Sequence, residues 1–263
     1  MLNIDSNILA KEIRLASIKI TSMANTSHIG SCLSIADILA VIYSQFIDFN
    51  DYENRTRFIL SKGHACAALY SSLWGVGIIS KDDLETFGKD FSKLSTHASS
   101  AVPGVEFSTG SLGHGLPFAV GKALYANRLK KKWKIIVLLS DGEMDEGSNW
   151  EAILFAAHHN LNNLCFIIDY NNLQSLDSVE RTLSLEPIVD KLISFGVDVF
   201  DIDGHNHQSI ASSISVKTSK VKAIVARTIK GKGVSFMENK VEWHYKSLSP
   251  DEYKAAYNEI VLN

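Results

Sequence analysis

The chain has 263 residues, 46% hydrophobic and 21% charged, enough for one large α/β domain or two small ones, either with an ample core. Its formal net charge of -3, from 26 Lys plus Arg against 29 Asp plus Glu, argues against the basic face of a nucleic-acid or membrane-surface protein. No run approaches the roughly 18 apolar residues that span a bilayer, and Asp5, Lys11 and Glu12 interrupt any secretory pattern, so a cytoplasmic enzyme is the expectation.

Residues 5–24 carry apolar side chains at helical spacing (Ile8, Leu9, Ile13, Leu15, Ala16, Ile20, Met23), which predicts a helix broken over 25–30. A second helix fits 35–46 and a short strand 57–60, after which the Gly63-His64 turn leads into a helix from Ala65 to about Leu73. Lys130-Lys131-Lys132 with Lys134 reads as a solvated helix end before a strand. Residues 134–139 hold the continuous run Ile135-Ile136-Val137-Leu138-Leu139, closed by Ser140-Asp141-Gly142, as buried parallel strands do. A helix is expected over 150–159, then a buried strand over 164–168 ending in Asp169-Tyr170-Asn171-Asn172. Strands over 197–202 and 223–226 enclose a helix near 208–216, and 249–262 reads as a terminal helix with Ser249 at the N-cap and Pro250 first. Cys32, Cys66 and Cys165 are odd in number and far apart, so they read as reduced, mostly buried thiols.

Strand–helix–strand alternation with short turns implies an α/β fold. It would be a doubly wound parallel sheet with helices on both faces, one domain over 1–263. Ligands of such sheets sit at the carboxyl ends of the strands, which puts Asp141, Asn171 and Gly204-His205 on the functional edge. Asp141 and Asn171, thirty residues apart (171 − 141), close neighbouring strands. Two oxygen ligands so placed suit a hard cation such as Mg²⁺ or Ca²⁺, with diphosphate oxygens, backbone carbonyls and water completing the shell. Taken singly, Asp141-Gly142 and Asn171-Asn172 are equally ordinary strand-closing turns. Glu146-Gly147-Ser148-Asn149-Trp150-Glu151 between them makes the pair more specific.

Ser140-Asp141-Gly142, followed about thirty residues later by Asn171, resembles the thiamine diphosphate motif, Gly-Asp-Gly and then Asn. The stretch Asp141-Gly142-Glu143-Met144-Asp145-Glu146-Gly147-Ser148-Asn149-Trp150-Glu151-Ala152 resembles the transketolase version in particular. Ser140 stands where the motif has Gly, and a small residue fits. The resemblance runs from about residue 10 to 245. It includes Ser27-His28-Ile29-Gly30, Ser61-Lys62-Gly63-His64, Thr96-His97, Ser108-Thr109-Gly110-Ser111-Leu112-Gly113-His114-Gly115-Leu116, Asp203-Gly204-His205-Asn206, and Lys230-Gly231-Lys232-Gly233-Val234 through Trp243-His244. After His97 the family often has Pro-Glu, where this chain has Ala98-Ser99.

The resemblance implies a thiamine diphosphate-binding fold of the diphosphate type, with metal held by Asp141, Asn171 and the backbone carbonyl of Leu173. The Gly142 N–H would face the diphosphate, and Gly110, Ser111, Leu112, Glu143 and Glu146 would border the cofactor. His64 and His244 would contact the diphosphate, and His28 and His97 the hydroxyls of a ketose, the four forming the catalytic set. His158, His159, His205 and His207 read as surface or satisfied core residues. Glu146 and Glu151 are either solvated or, by resemblance, part of a carboxylate network at a subunit interface, and Lys230 and Lys232 are either a solvated pair or an anion clamp.

In transketolases a second, pyrimidine-binding domain carries the Glu that activates the cofactor and most sugar-phosphate-binding Arg residues. This chain ends at Asn263, just past the segment resembling the close of the diphosphate domain. The resemblance therefore implies a separately encoded partner in an α2β2 assembly, moving a two-carbon ketol unit from a ketose phosphate to an aldose phosphate. Alternatives are a related transferase acting on an unusual sugar or 2-oxoacid, and a non-catalytic subunit. A dinucleotide-binding domain would need a G-x-G-x-x-G after its first strand, which is missing.

Overall fold

The computed structural model describes residues 4–262. Its elements, in chain order, are α1 (Ser6–Met23), α2 (Ile29–Ser34), α3 (Ala36–Gln45), β1 (Arg57–Leu60), α4 (Cys66–Gly75), the short α5 (Lys81–Leu84), α6 (Gly115–Arg128), β2 (Ile135–Ser140), α7 (Gly147–His158), β3 (Leu164–Tyr170), the short α8 (Val179–Thr182), α9 (Ile188–Ser194), β4 (Asp198–Asp203), α10 (His207–Ser215), β5 (Lys222–Arg227) and α11 (Pro250–Leu262). The strands form one sheet in the order β1-β2-β3-β5-β4, every neighbouring pair parallel.

Successive strand residues feed two cores. Phe58, Leu60, Ile136, Leu138, Ile167 and Ile224 pack with α1 to α4, α10 and α11, while Ile59, Val137, Leu139, Phe166, Ile168 and Val225 pack with α6, α7 and α9. The inner strands are buried on both faces, which is why they read as unbroken apolar runs. From β1 through β3 the chain advances one way with α6 and α7 on the second face. It then skips a position to β4 and turns back to β5, and α10 accordingly lies on the first face, as a right-handed crossover requires when travel reverses. Ser140 pairs with Asp169 and Asp169 with Ala226, so the tips of β2, β3 and β5 end nearly flush.

The doubly wound sheet expected from the sequence is thus present, and all five strands lie where expected to within about two residues. The terminal helix begins at Pro250, with Ser249 Oγ accepting from the Glu252 N–H and the Glu252 carboxylate accepting from the Ser249 N–H. Two helices differ. The break over 25–30 is shorter than expected: Asn25 and His28 adopt positive φ, and α2 starts at once at Ile29. No helix is expected over 115–128, where α6 forms. Its buried Leu116, Ala119, Val120, Ala123 and Ala126 follow helical spacing, but Gly115, Pro117 and Gly121 mask it. All three cysteines are free and buried, as expected. Among the described residues no helix is long and apolar enough to cross a membrane.

Candidate active site

The loops leaving β1, β2, β3 and β5 converge at the carboxyl edge of the sheet around a cavity of about 220 Å³. Asp141 and Asn171 stand there, both almost fully buried, with Leu112, Leu173, Lys62, Lys230, His64 and His244 around them. Asp141 Oδ1 accepts from its neighbour's Gly142 N–H at 2.8 Å and Oδ2 from the Asn172 N–H at 2.8 Å. Burial, and then the charge of Asp169, push the Asp141 carboxyl up to about 7, and a cation bound at this point would favour its ionised form. Asn171 Oδ1 accepts from the Leu173 N–H at 3.1 Å. The Lys230 ammonium donates to the carbonyls of Leu173 (3.2 Å) and Gln174 (3.0 Å) and to His244 Nδ1 (3.2 Å). Burial and the nearby Lys62 pull Lys230 down to about 8.

His28, His64, His97 and His244, drawn from four separate segments, meet beside this cavity. Ring centroids lie 5.1 Å apart for His28–His64, 5.0 Å for His28–His244, 5.4 Å for His64–His244 and 6.2 Å for His28–His97. A second cavity of about 390 Å³ carries His28 and His97 with Asn25, Ser27 and Thr96, and shares His64 and Tyr245 with the first. Burial lowers the proton affinity of two of these rings: His28 falls to about 4, helped by His97, and His244 to about 3, helped by Lys230. His64 also lies well below its usual value, through burial and then Lys62. Because the ammonium of Lys230 donates to His244 Nδ1, the proton of that neutral ring sits on Nε2.

Gly142 also lines this cavity, with its N–H donating to the Asp141 carboxylate. Several other expected residues stand off the cavity wall. Glu143 is fully buried beneath the site rather than on the cavity wall, accepting from Ser61 Oγ (2.5 Å) and the Gly113 N–H (2.9 Å), so that it joins the end of β1 to the Gly-rich segment. Burial raises its carboxyl. Glu146 is an exposed residue at the start of α7, Ser111 is exposed, and Gly110 packs on His97. Gly63 has no room for a side chain, since a Cβ there would lie 2.3 Å from the Thr109 carbonyl oxygen. Lys230 and Lys232 separate in role: the first is buried in the site, and the second is half-exposed, 3.6 Å from Glu238. His205 and His207 are satisfied by Asp37, at 2.7 and 3.1 Å.

Sequence reasoning misses Lys62 and Asp169, a wholly buried ion pair at 2.5 Å directly under Asn171. The available signal was an acid inside an otherwise apolar strand. Among the described residues no three His, Cys, Asp or Glu side chains cluster to hold a metal. Asp141, Asn171 and the Leu173 carbonyl include only one carboxylate, a donor set that suits Mg²⁺ sharing its shell with diphosphate oxygens and water. The ammonium on the Leu173 carbonyl already marks this edge as one that accepts positive charge.

Comparison with known proteins gives the family. The family model described as transketolase, thiamine diphosphate binding domain, matches residues 5–263. A protein of Phocaeicola vulgatus, named as one of the subunits of an apulose-4-phosphate transketolase, is 38% identical, over 92% of this chain and 89% of its own length. A Clostridium sp. protein, named as a 6-deoxy-6-sulfo-D-fructose transketolase subunit, is 35% identical, over 98% of this chain and 96% of its own. The crystal structure of the Campylobacter jejuni transketolase superposes with a TM-score of 0.91 at 30% identity, over 98% of this chain but 43% of that one. The chain therefore belongs to the transketolase family, where it corresponds to the thiamine diphosphate-binding domain.

Proposed function

We propose that this chain is the diphosphate-binding subunit of a split, thiamine diphosphate- and Mg²⁺-dependent transketolase that moves a two-carbon ketol unit between sugar phosphates. A separately encoded pyrimidine-domain subunit completes the site in an α2β2 assembly. The observation that carries this reading is the placing of Asp141 and Asn171 at adjacent strand tips, in one cavity with His64 and His244 and beside a second that holds His28 and His97. Asp141, Asn171 and the Leu173 carbonyl would hold the metal, and Lys62, Lys230, His64 and His244 would meet the diphosphate. Bound thiamine diphosphate would supply the carbanion chemistry. His28 and His97 line the cavity for the ketose hydroxyls, and a neutral ring there can donate at one nitrogen and accept at the other.

The relatives' names, apulose-4-phosphate and 6-deoxy-6-sulfo-D-fructose, favour a specialised ketose carrying an anionic group. Among the described residues no Lys or Arg lines the cavity of His28 and His97, so the partner subunit would supply the positive charge for that group. The test combines this chain, the partner, Mg²⁺, thiamine diphosphate, a ketose phosphate and an aldose phosphate. Transfer should need both chains. Appreciable transfer by this chain alone would sink the split arrangement. Asp141→Asn in the assembly should abolish metal-dependent cofactor retention in equilibrium dialysis, and retention at the wild-type level would sink the metal site.

A further inference from the structure

We infer that Asp169 is a positioning residue that fixes which end of the Asn171 amide faces the cation. The inference rests on the reading above, in which Asn171 is a metal ligand. A side-chain amide presents an oxygen on one side and an NH₂ on the other, and only the oxygen can ligate a metal. Asn171 Nδ2 lies 3.0 Å from Asp169 Oδ2, and Oδ1 lies 3.1 Å from the Leu173 backbone N–H. An ionised carboxylate only accepts and a backbone N–H only donates, so both neighbours demand the same orientation. Turning the amide over would set its NH₂ against the Leu173 N–H and point protons at the cation.

Asp169 is itself held from three sides. Oδ2 accepts from Lys62 Nζ at 2.5 Å and Ser34 Oγ at 2.7 Å, while Oδ1 accepts from Thr228 Oγ1. With an ammonium and two hydroxyls donating to it, Asp169 faces Asn171 Nδ2 as an acceptor. It does not line the cavity, so its influence passes through Asn171. Orienting partners of this kind typically contribute about 10- to 100-fold in metal affinity.

The experiment titrates Mn²⁺ into the assembly of this chain with its partner, thiamine diphosphate present, and reads free Mn²⁺ by electron paramagnetic resonance. Asp169→Asn should weaken Mn²⁺ by about 10- to 100-fold. The double variant Asp169→Asn with Asn171→Asp keeps the charge of the pair and places two equivalent oxygens at 171, which need no orienting, so it should restore most of the affinity. Wild-type affinity in Asp169→Asn overturns the inference. So does failure of the double variant to restore binding, which would make Asp169 a source of charge or structure only. If Asp169→Asn does not fold by circular dichroism, Thr228→Val removes the hydrogen bond to the far oxygen and should weaken Mn²⁺ several-fold, and an unchanged affinity there is equally fatal. A wild-type assembly that retains no Mn²⁺ with thiamine diphosphate would bring down the proposed function, and this inference with it.

Discussion

His28 enters α2 with a φ of 75°, a left-handed conformation that Asn adopts more readily than most residues. His28→Asn is therefore a clean way to remove the ring. An unfolded His titrates near 6.5 and the folded His28 near 4, so between those values the unfolded chain binds more protons. Its contribution is complete above about pH 6.5 and drains away as pH falls toward 4. Between pH 7 and pH 5 the wild type should lose roughly 1 kcal/mol relative to His28→Asn, after discounting for solvent access. Urea unfolding of both proteins at the two pH values measures this. An unchanged gap would mean the ring titrates normally. The four site histidines were legible in the sequence because each sits in a loop beside Gly, Ser, Thr or Trp. Lys62 and Asp169 were not, because a buried ion pair 107 residues apart shows itself only once both ends are in place.

Between elements, Asp37 of α3 does for the outer part of the site what Glu143 does beneath it. Arg14 of α1 donates to both its oxygens, and His205 and His207, at the end of β4 and the start of α10, add two more contacts. His205 Nε2 accepts from the Ile229 N–H, and the carbonyl of Lys232 takes Arg14 Nε, so the segment carrying Lys230 is pinned on either side. Burial would raise the Asp37 carboxyl, but these partners hold it far below its usual value. Asp37→Ala should cost about 3 kcal/mol, because it strands a nearly buried guanidinium. Chemical denaturation reads the loss, and a cost below about 1 kcal/mol would show the cluster to be as weak as a surface pair. The elements themselves were largely readable, since buried parallel strands announce themselves as apolar runs. Strand order was not, because nothing local to β4 says that β5 will lie between it and β3.

Across the molecule, α7 leaves Leu154 59% and Phe155 43% exposed, in the same helix as the exposed Glu151 and just past Glu146. The family resemblance puts Glu146 and Glu151 at a subunit interface, and the apolar pair gives that face something to bury. Sedimentation velocity should find the chain self-associated, with Leu154→Glu/Phe155→Glu shifted toward the monomer. A wild type that stays monomeric at high concentration would place the contact elsewhere.

The far margin of the sheet has a different character. β4 has a strand on one side only, and it carries Asp198, Asp201 and Asp203 in six residues, with Asp201 and Asp203 facing solvent. A bare strand edge invites another chain to add itself on, the first step of runaway stacking. Arg227 donates to both oxygens of Asp201 and Lys220 lies 4.0 Å from Asp198, so an added strand would have to strip hydrated, paired charges, and this border discourages β4 from templating copies of itself.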